Sequence, residues 1–261
     1  MNHIRLASPT LRFPRVPLDR FVLPTVGVEY LPIPENADLR GFLDVLHARE
    51  SRREFVRAPE DRDVSDLLWH AFKTKQRRRN DDGYRWEHRP APSAGGLHPI
   101  SVLVMNRPPQ RDAVFLYDPI AHALGRIEPV NRDVVLSFFS AVNSVLPVGE
   151  AAIVWFVADF RLTLSKYENG ESLVWRDAGA LGATVELVAE ALELSSCAIG
   201  ITGEPFVAQI TGNVPMLEGV GGCLIGKRPI ARESLPPISA SRTSARRQSR
   251  GPVQTGDRRL R

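Results

Sequence analysis

Apolar residues recur every three or four positions in four segments of the chain, which is the spacing of one helical face. The first of these predicted helices is capped by Asp38 and covers residues 39–46, and the second begins at Asp63 or Ser65 and runs to Phe72. A third covers residues 134–146. The fourth is the longest, because residues 173–194 contain no proline and carry apolar side chains at helical spacing. We expect this long helix to form the core or a subunit interface.

Short runs of apolar and β-branched residues predict strands joined by hairpins at residues 100–105, 113–117 and 123–127, with a turn at Asp118–Pro119. Residues 151–160 form a continuous apolar run, which is typical of a strand buried on both faces. A last short strand is predicted at residues 223–225.

The remaining segments lack these patterns. Residues 1–36 carry six prolines without helical periodicity, which predicts an extended arm that wraps a neighbour or frays. Residues 73–89 are polar and include three consecutive arginines, which predicts a solvated loop, although such a loop could also close over a site. We therefore expect an arm at residues 1–37, one folded domain at 38–230 and a basic disordered tail at 231–261.

Composition places the chain among ordinary globular proteins, since 43% of its 261 residues are hydrophobic and 25% are charged. The net charge of +4 comes mainly from residues 232–261, which hold eight arginines and two carboxylates. Nucleic-acid binding by the whole chain is therefore not expected, although the tail could dock on an acidic partner or on nucleic acid. Neither of the two cysteines has a metal-ligand spacing, and no apolar run reaches the ~18 residues of a membrane span. These features favour a reducing, cytoplasmic setting with no metal site.

The segment Arg49-Glu50-Ser51-Arg52-Arg53 is a candidate phosphate clamp. If it is extended, Arg49, Ser51 and Arg53 share one face, because side chains alternate with period two. Two guanidinium groups beside a hydroxyl are suited to a phosphate. The alternative is that these basic residues only end a helix, where they complement its negative terminus.

A second candidate is the segment from Pro92 to Pro99, which reads PSAGGLHP. Ser93 offers a hydroxyl, Ala94 and Gly95 offer backbone N–H groups, and the glycines allow close approach of a flat ligand. The alternative is an ordinary glycine turn between a loop and a strand. His98 could face a ligand or only pack.

Lys166 and Tyr167 could exchange a proton with a substrate if burial shifts either pKa toward neutral. The alternative is an exposed lysine beside a tyrosine that anchors a loop. Further along, residues 221–227 contain the GxxxxGK part of a P-loop, but Arg228 and Pro229 exclude the magnesium ligand and helix that must follow. Lys227 and Arg228 could still reach a phosphate from the end of a strand, or simply be solvated.

Taken in order, the RxSxR, PSAGGLHP, Lys166-Tyr167, Asp177-Ala178-Gly179 and Cys197-Ala198-Ile199-Gly200 segments resemble SagB-type dehydrogenases of the nitroreductase fold. The resemblance covers about residues 38–228. It implies an α+β fold with a mixed central sheet flanked by helices, and a homodimer with FMN at the subunit interface.

The resemblance also implies roles for individual residues. Arg49, Ser51 and Arg53 would hold the FMN phosphate and ribityl chain, and Pro92, Ser93, Ala94 and Gly95 would lie beside the flavin ring. Ile199 and Gly200 would lie near its reactive edge, and Lys227 and Arg228 would contact the phosphate. Lys166 and Tyr167 would be catalytic, as in members that oxidise peptide thiazoline or oxazoline rings to thiazole or oxazole.

Such members imply a peptide-modifying complex with a cyclodehydratase, a leader-peptide-binding subunit and a ribosomally made precursor peptide as substrate. Two other functions fit the same residues. One is an NAD(P)H-dependent nitro- or quinone reductase of the same fold, and the other is a flavin-free scaffold or peptide-binding subunit.

Overall fold

The computed structural model describes residues 7–35, 40–107, 110–128 and 130–229. Its helices are α1 (Phe42–Ala48), α2 (Asp61–Phe72), α3 (Arg132–Val145), α4 (Phe160–Lys166), α5 (Glu171–Ala191) and α6 (Phe206–Thr211). Its strands are β1 (Thr10–Leu11), β2 (Thr25–Tyr30), β3 (Gln76–Arg79), β4 (Arg85–His88), β5 (Ile100–Arg107), β6 (Gln110–Asp118), β7 (Ala123–Ile127), β8 (Ala152–Asp159), β9 (Tyr167–Glu168), β10 (Leu194–Ile199) and β11 (Leu217–Lys227).

Seven of the strands form one sheet in the order β10-β11-β8-β5-β6-β7-β2. Every pairing in this sheet is antiparallel, so the expected mixed sheet is replaced by an antiparallel one. The tight connections between β5, β6 and β7 explain this arrangement for those three strands, because short hairpins can join only antiparallel neighbours. The predicted α+β class of the nitroreductase fold is confirmed.

Helices cover both faces of the sheet. One hydrophobic cluster joins α2 and α5 to side chains such as Val154 and Phe156, and a second joins α3 and α6 to Ile153 and Trp155. All eight residues of β8 are buried, since successive side chains enter opposite clusters. The continuous apolar run at residues 151–160 is therefore a buried strand of the large sheet, as predicted.

The region expected to be an extended arm that wraps a neighbour or frays is paired with other strands of the same chain. β2 forms the edge of the large sheet beside β7, and β1 pairs with β9. Residues 76–88 form the hairpin β3–β4 rather than a solvated loop. Sequence periodicity missed this hairpin because β3 consists only of glutamine and arginine, and its stability comes from contacts such as Arg78 stacking 4.5 Å from the Trp86 ring.

Several element boundaries also differ from prediction. The second helix begins at Asp61, where Glu60 and Asp63 form a reciprocal capping box, and the last strand extends over Leu217–Lys227. Helix α4 and strand β10 were not predicted. Asp38 and the basic tail lie outside the described residues. Among the described helices, none is both long and apolar enough to cross a membrane.

Candidate functional site

The glycine-containing loop is anchored on α5 by Asp177. One carboxylate oxygen of Asp177 accepts a hydrogen bond from Ser93 Oγ at 2.5 Å, and the other accepts one from the Ala94 N–H at 3.1 Å. Burial raises the pKa of Asp177, while these two hydrogen bonds oppose the rise. Gly95 follows with a φ of +63°, a conformation that glycine adopts without strain. The loop is therefore held in one defined conformation.

Lys166 and Tyr167 lie directly against this loop, at the end of α4 and the start of β9. A Cβ atom placed on Gly95 would be 2.9 Å from the Tyr167 hydroxyl oxygen and 3.5 Å from Lys166 Nζ. Lys166 is only 8% exposed, so it is not the solvated lysine of the alternative interpretation. Burial raises the pKa of Tyr167, although the charge of Arg15 opposes this, so the phenol is protonated at neutral pH.

The N-terminal segment holds the backbone of these two residues. Leu11 in β1 pairs with Tyr167 in β9, and the Arg12 N–H donates a hydrogen bond to the Lys166 carbonyl oxygen at 2.9 Å. The Arg12 side chain adds a bond from Nε to the Leu164 carbonyl oxygen at 2.8 Å. Residues far apart in sequence thus build one part of the site.

Replacing Arg12 with proline removes both of these bonds, whereas replacing it with alanine removes only the one from the side chain. An unpaired carbonyl costs about 1–3 kcal/mol, so R12P is expected to accelerate hydrogen exchange of the Tyr167 and Glu168 amides roughly five-fold or more. R12A should have a smaller effect. Equal exchange in the two variants would contradict the role of the backbone bond.

The candidate phosphate clamp lies in the extended segment after α1. The Arg52 N–H donates a hydrogen bond to the Ser196 carbonyl oxygen at 2.8 Å, which holds the segment beside β10. Arg49 lies 3.4 Å from Glu186 on α5, while the Arg52 side chain contacts Glu190 at 3.3 Å. Ser51 and Arg53, the other members of the predicted clamp, are exposed.

The same segment runs beside the end of β11. The Val56 N–H donates to the Lys227 carbonyl oxygen at 3.1 Å, and the Lys227 N–H donates to the Arg57 carbonyl oxygen at 3.0 Å. The fold therefore brings the early and late cationic segments together. Both late cations are already paired, since Lys227 Nζ lies 2.8 Å from Asp63 and Arg228 lies 3.3 Å from Glu190. A bound phosphate would compete with these carboxylates.

A groove of about 450 Å³ follows α5, a volume within the range of small-molecule sites. It is lined by residues of α5, β8, β10 and β11: Phe156, Trp175, Ala178, Gly179, Gly182, Ala183, Glu186, Ala198, Ile199, Val220, Gly221 and Gly222. Trp175 lies near one end of this helix face, and Glu186, which is paired with Arg49, lies near the other. Trp175 and Glu186 are about 16 Å apart along the helix axis.

The groove exists because glycines leave space along its wall. A Cβ atom on Gly179 would meet nothing within 4 Å, and one on Gly182 would only touch Phe156 at 4.0 Å. Arg52 and Arg228 both contact Glu190, one turn beyond Glu186 on α5, and the Nε atom of each is buried without a hydrogen-bond partner among the described residues. A flat wall with cationic side chains beyond one end fits FMN, which joins a planar ring to a phosphate.

His98 packs inside the protein and belongs to the support of the loop. Its Nε2 lies 3.0 Å from the Glu87 carbonyl oxygen in β4. Burial, with the nearby charge of Arg89, lowers the pKa of His98 to about 4, so the ring is neutral at neutral pH. This geometry therefore favours the alternative in which His98 only packs and does not face a ligand.

Several residues of the site were not predicted to be site residues, although Asp177 and Gly179 belong to a segment that carries the family resemblance. Trp175, Gly179, Gly182 and Glu186 are spaced by four, three and four residues, so they form one stripe along α5. This stripe of small residues between a tryptophan and a carboxylate was a detectable signal. The Asp177 contact to the loop carried no such signal, because its partners are more than 80 residues away. No group of three or more potential metal ligands occurs in the described part of the chain.

Comparison with known proteins agrees with this architecture. The model of the nitroreductase family matches residues 46–227. No curated protein matches the chain. Among solved structures, a candidate nitroreductase from Ralstonia eutropha superposes with a TM-score of 0.58 at 22% identity, over 84% of this chain and 100% of that chain. One from Anabaena variabilis gives 0.54 at 18%, over 72% and 38% of the two chains.

A chain of the Escherichia coli microcin synthetase McbBCD complex, solved with truncated pro-MccB17 bound, is also similar. It superposes with a TM-score of 0.52 at 18% identity, over 77% of this chain and 79% of that chain. At these identities the structural matches show a shared fold only. The family model, however, covers more than half of the sequence. The chain therefore belongs to the nitroreductase family of oxidoreductases.

Proposed function

We propose that this protein is an FMN-dependent dehydrogenase that oxidises thiazoline or oxazoline rings in a ribosomally made peptide to thiazole or oxazole. The observation that carries the proposal is the contact of Lys166 and Tyr167 with the Ser93–Gly95 loop, which Asp177 anchors to α5. A buried amine and a protonated phenol against such a glycine loop are suited to proton transfer. The fold shared with a chain of the microcin synthetase complex adds support.

The reaction removes two hydrogens from the azoline ring, one as a proton and one as a hydride. Bound FMN would supply the hydride acceptor, with molecular oxygen as the final oxidant. Lys166, in its neutral form, accepts the proton at Nζ. Tyr167 remains protonated because burial raises its pKa, so its hydroxyl can donate a hydrogen bond to a heteroatom of the ring.

The residues of the groove would hold FMN by two kinds of contact. Arg49, Ser51 and Arg53 would bind the phosphate and ribityl chain, with Lys227 and Arg228 available if they exchange their present carboxylate partners. The loop from Pro92 to Gly95 and the backbone at Ile199–Gly200 would border the ring. Gly179 and Gly182 leave the wall of the groove flat enough for it.

We also propose that the protein is a homodimer that works with a cyclodehydratase and a leader-peptide-binding subunit. Helix α1 exposes three large apolar side chains, Phe42 (67%), Leu43 (62%) and Leu46 (45%), which a second copy would cover. The precursor peptide would enter beside Lys166.

A second candidate function is reduction of nitro compounds or quinones by NAD(P)H, and the likeness to the Ralstonia eutropha protein favours it. The two functions differ in what reduces the flavin. In the reductase, NAD(P)H delivers the hydride, and Lys166 and Tyr167 have no essential role.

The visible absorption spectrum of the purified protein, with the released cofactor identified by mass, tests the proposal. We expect a yellow protein that contains FMN, that is not bleached by anaerobic NAD(P)H, and that is bleached by a synthetic thiazoline peptide. Rapid bleaching by NAD(P)H would instead establish the reductase. A colourless protein that cannot be reconstituted with FMN would leave only the scaffold function.

A further inference from the structure

The tip of the β3–β4 hairpin reaches the amine of Lys166. Asp82 Oδ2 lies 3.6 Å from Lys166 Nζ, and the same amine lies 4.8 Å from the centre of the Tyr84 ring. Tyr84 is itself fixed, since its hydroxyl donates a hydrogen bond to the Ser165 carbonyl oxygen at 2.7 Å. A segment that looked like a solvated loop in the sequence thus forms one wall around Lys166.

The position of Asp82 is determined by two further contacts. Its Oδ1 accepts a hydrogen bond from the Tyr84 N–H at 3.3 Å, and its Oδ2 accepts one from Arg15 at 2.9 Å. Burial alone would raise the pKa of Asp82, but the Tyr84 N–H and the charges of Lys166 and Arg15 together lower it. Asp82 is therefore a carboxylate at neutral pH, held between the N-terminal segment and Lys166.

We infer that Asp82 is a positioning residue for Lys166, which keeps Nζ against the Gly95 loop and stabilises the ammonium ion that Lys166 becomes when it accepts a proton. This inference rests on the proposed function. A carboxylate 3.6 Å away favours the charged form of the amine more than the neutral form. The catalytic contribution is positional: Asp82 holds the amine in place for transfer, and the ammonium ion that forms keeps its ion pair with Asp82.

Charged and titratable groups from four parts of the chain face Lys166 or its ion-pair partner Asp82. They are Asp82 and Tyr84 of the hairpin, Arg15 of the N-terminal segment, Tyr167 of β9 and, through the loop, Asp177 of α5. Asp82 is the carboxylate in direct contact with the amine in the described structure. The chain also provides a matched control, because Asp81 precedes Asp82 at the same turn and makes no ion pair among the described residues.

The test compares D82N, D82E and D81N in the full-length protein with its cofactor. Acetic anhydride acylates only neutral amines, so the rate of Lys166 acetylation, measured by mass spectrometry against exposed Lys75, reports the charge stabilisation without any substrate. We expect D82N, whose side chain has the same size, to raise this ratio roughly five-fold, and D81N to leave it unchanged. In parallel, D82N should lower kcat on a thiazoline peptide about 100-fold with little change in KM, and D82E should restore part of it.

An unchanged acetylation ratio in D82N, or a raised ratio with unchanged kcat, would overturn the inference. A loss of kcat with no recovery in D82E, together with a loss of FMN, would indicate a structural role and would also overturn it. If wild-type protein oxidises no azoline peptide, the proposed function fails, and the acetylation ratio still decides whether Asp82 controls the charge of Lys166.

Discussion

Replacing Lys166 with alanine is expected to reduce the rate of azoline oxidation by about 1,000-fold, which is within the usual contribution of a general base. The reason is geometric. Lys166 places a buried amine against the loop at Gly95, and the neighbouring phenol of Tyr167 stays protonated because its pKa is raised. Anaerobic stopped-flow measurement of flavin bleaching by a thiazoline peptide isolates this step from reoxidation by oxygen.

Two comparisons separate this effect from a loss of structure. Lys75 is an exposed lysine that directly precedes β3, so K75A removes an identical side chain and should retain full activity. K166A should retain its FMN, because Lys166 is not one of the residues assigned to the phosphate. Bleaching of K166A at the wild-type rate would show that the proton goes elsewhere, and Y167F would then be the variant to measure.

The double replacement of Arg49 and Arg53 by alanine is expected to weaken FMN binding by about 100-fold or more while the protein remains folded. A hydrogen bond to a charged group contributes about 1.5–3 kcal/mol, and two such contacts would be lost. The loss of Arg49 also leaves Glu186, which lines the groove 3.4 Å from that arginine, without its counter-charge beside an incoming phosphate. Both changes act in the same direction on FMN affinity.

Fluorescence titration of the flavin-free protein with FMN measures this effect. The matched control removes two exposed arginines elsewhere, Arg77 in β3 and Arg132 in α3, and so produces the same change of net charge. The control should bind FMN as the wild type does. Wild-type affinity in R49A/R53A would show that Lys227 and Arg228, after leaving Asp63 and Glu190, hold the phosphate instead.

Much of the fold could be predicted because burial leaves a periodic pattern. Strand β7 was predicted with its observed bounds, the buried run at β8 was predicted to within one residue at each end, and the long helix was predicted to within three. The hairpin β3–β4 could not be predicted, since an all-polar strand such as β3 has no apolar alternation. Strand β2 was missed for a related reason, because its side chains are exposed and its pairing with β7 depends on residues about 100 positions away.

By itself, the sequence determined which residues could do chemistry and which family they indicate. The Arg49, Ser93 and Lys166 segments contain side chains whose chemistry is visible without a fold, and the family model confirms membership of the nitroreductase family. The spacing of apolar residues also predicted the long helix, because one helical face is formed by residues three or four positions apart.

Only the tertiary structure decided what surrounds those residues. Asp177 reaches Ser93 across 84 positions, Asp82 reaches Lys166 from a hairpin tip, and Leu11 pairs with Tyr167 from the N-terminal segment. The pairing of Lys227 with Asp63 likewise appears only when β11 returns beside the start of α2. Such contacts depend on how the chain closes long loops, and single-sequence periodicity carries no information about pairs so far apart. The sequence alone therefore named the candidate reactive groups, and the fold determined their burial and their partners.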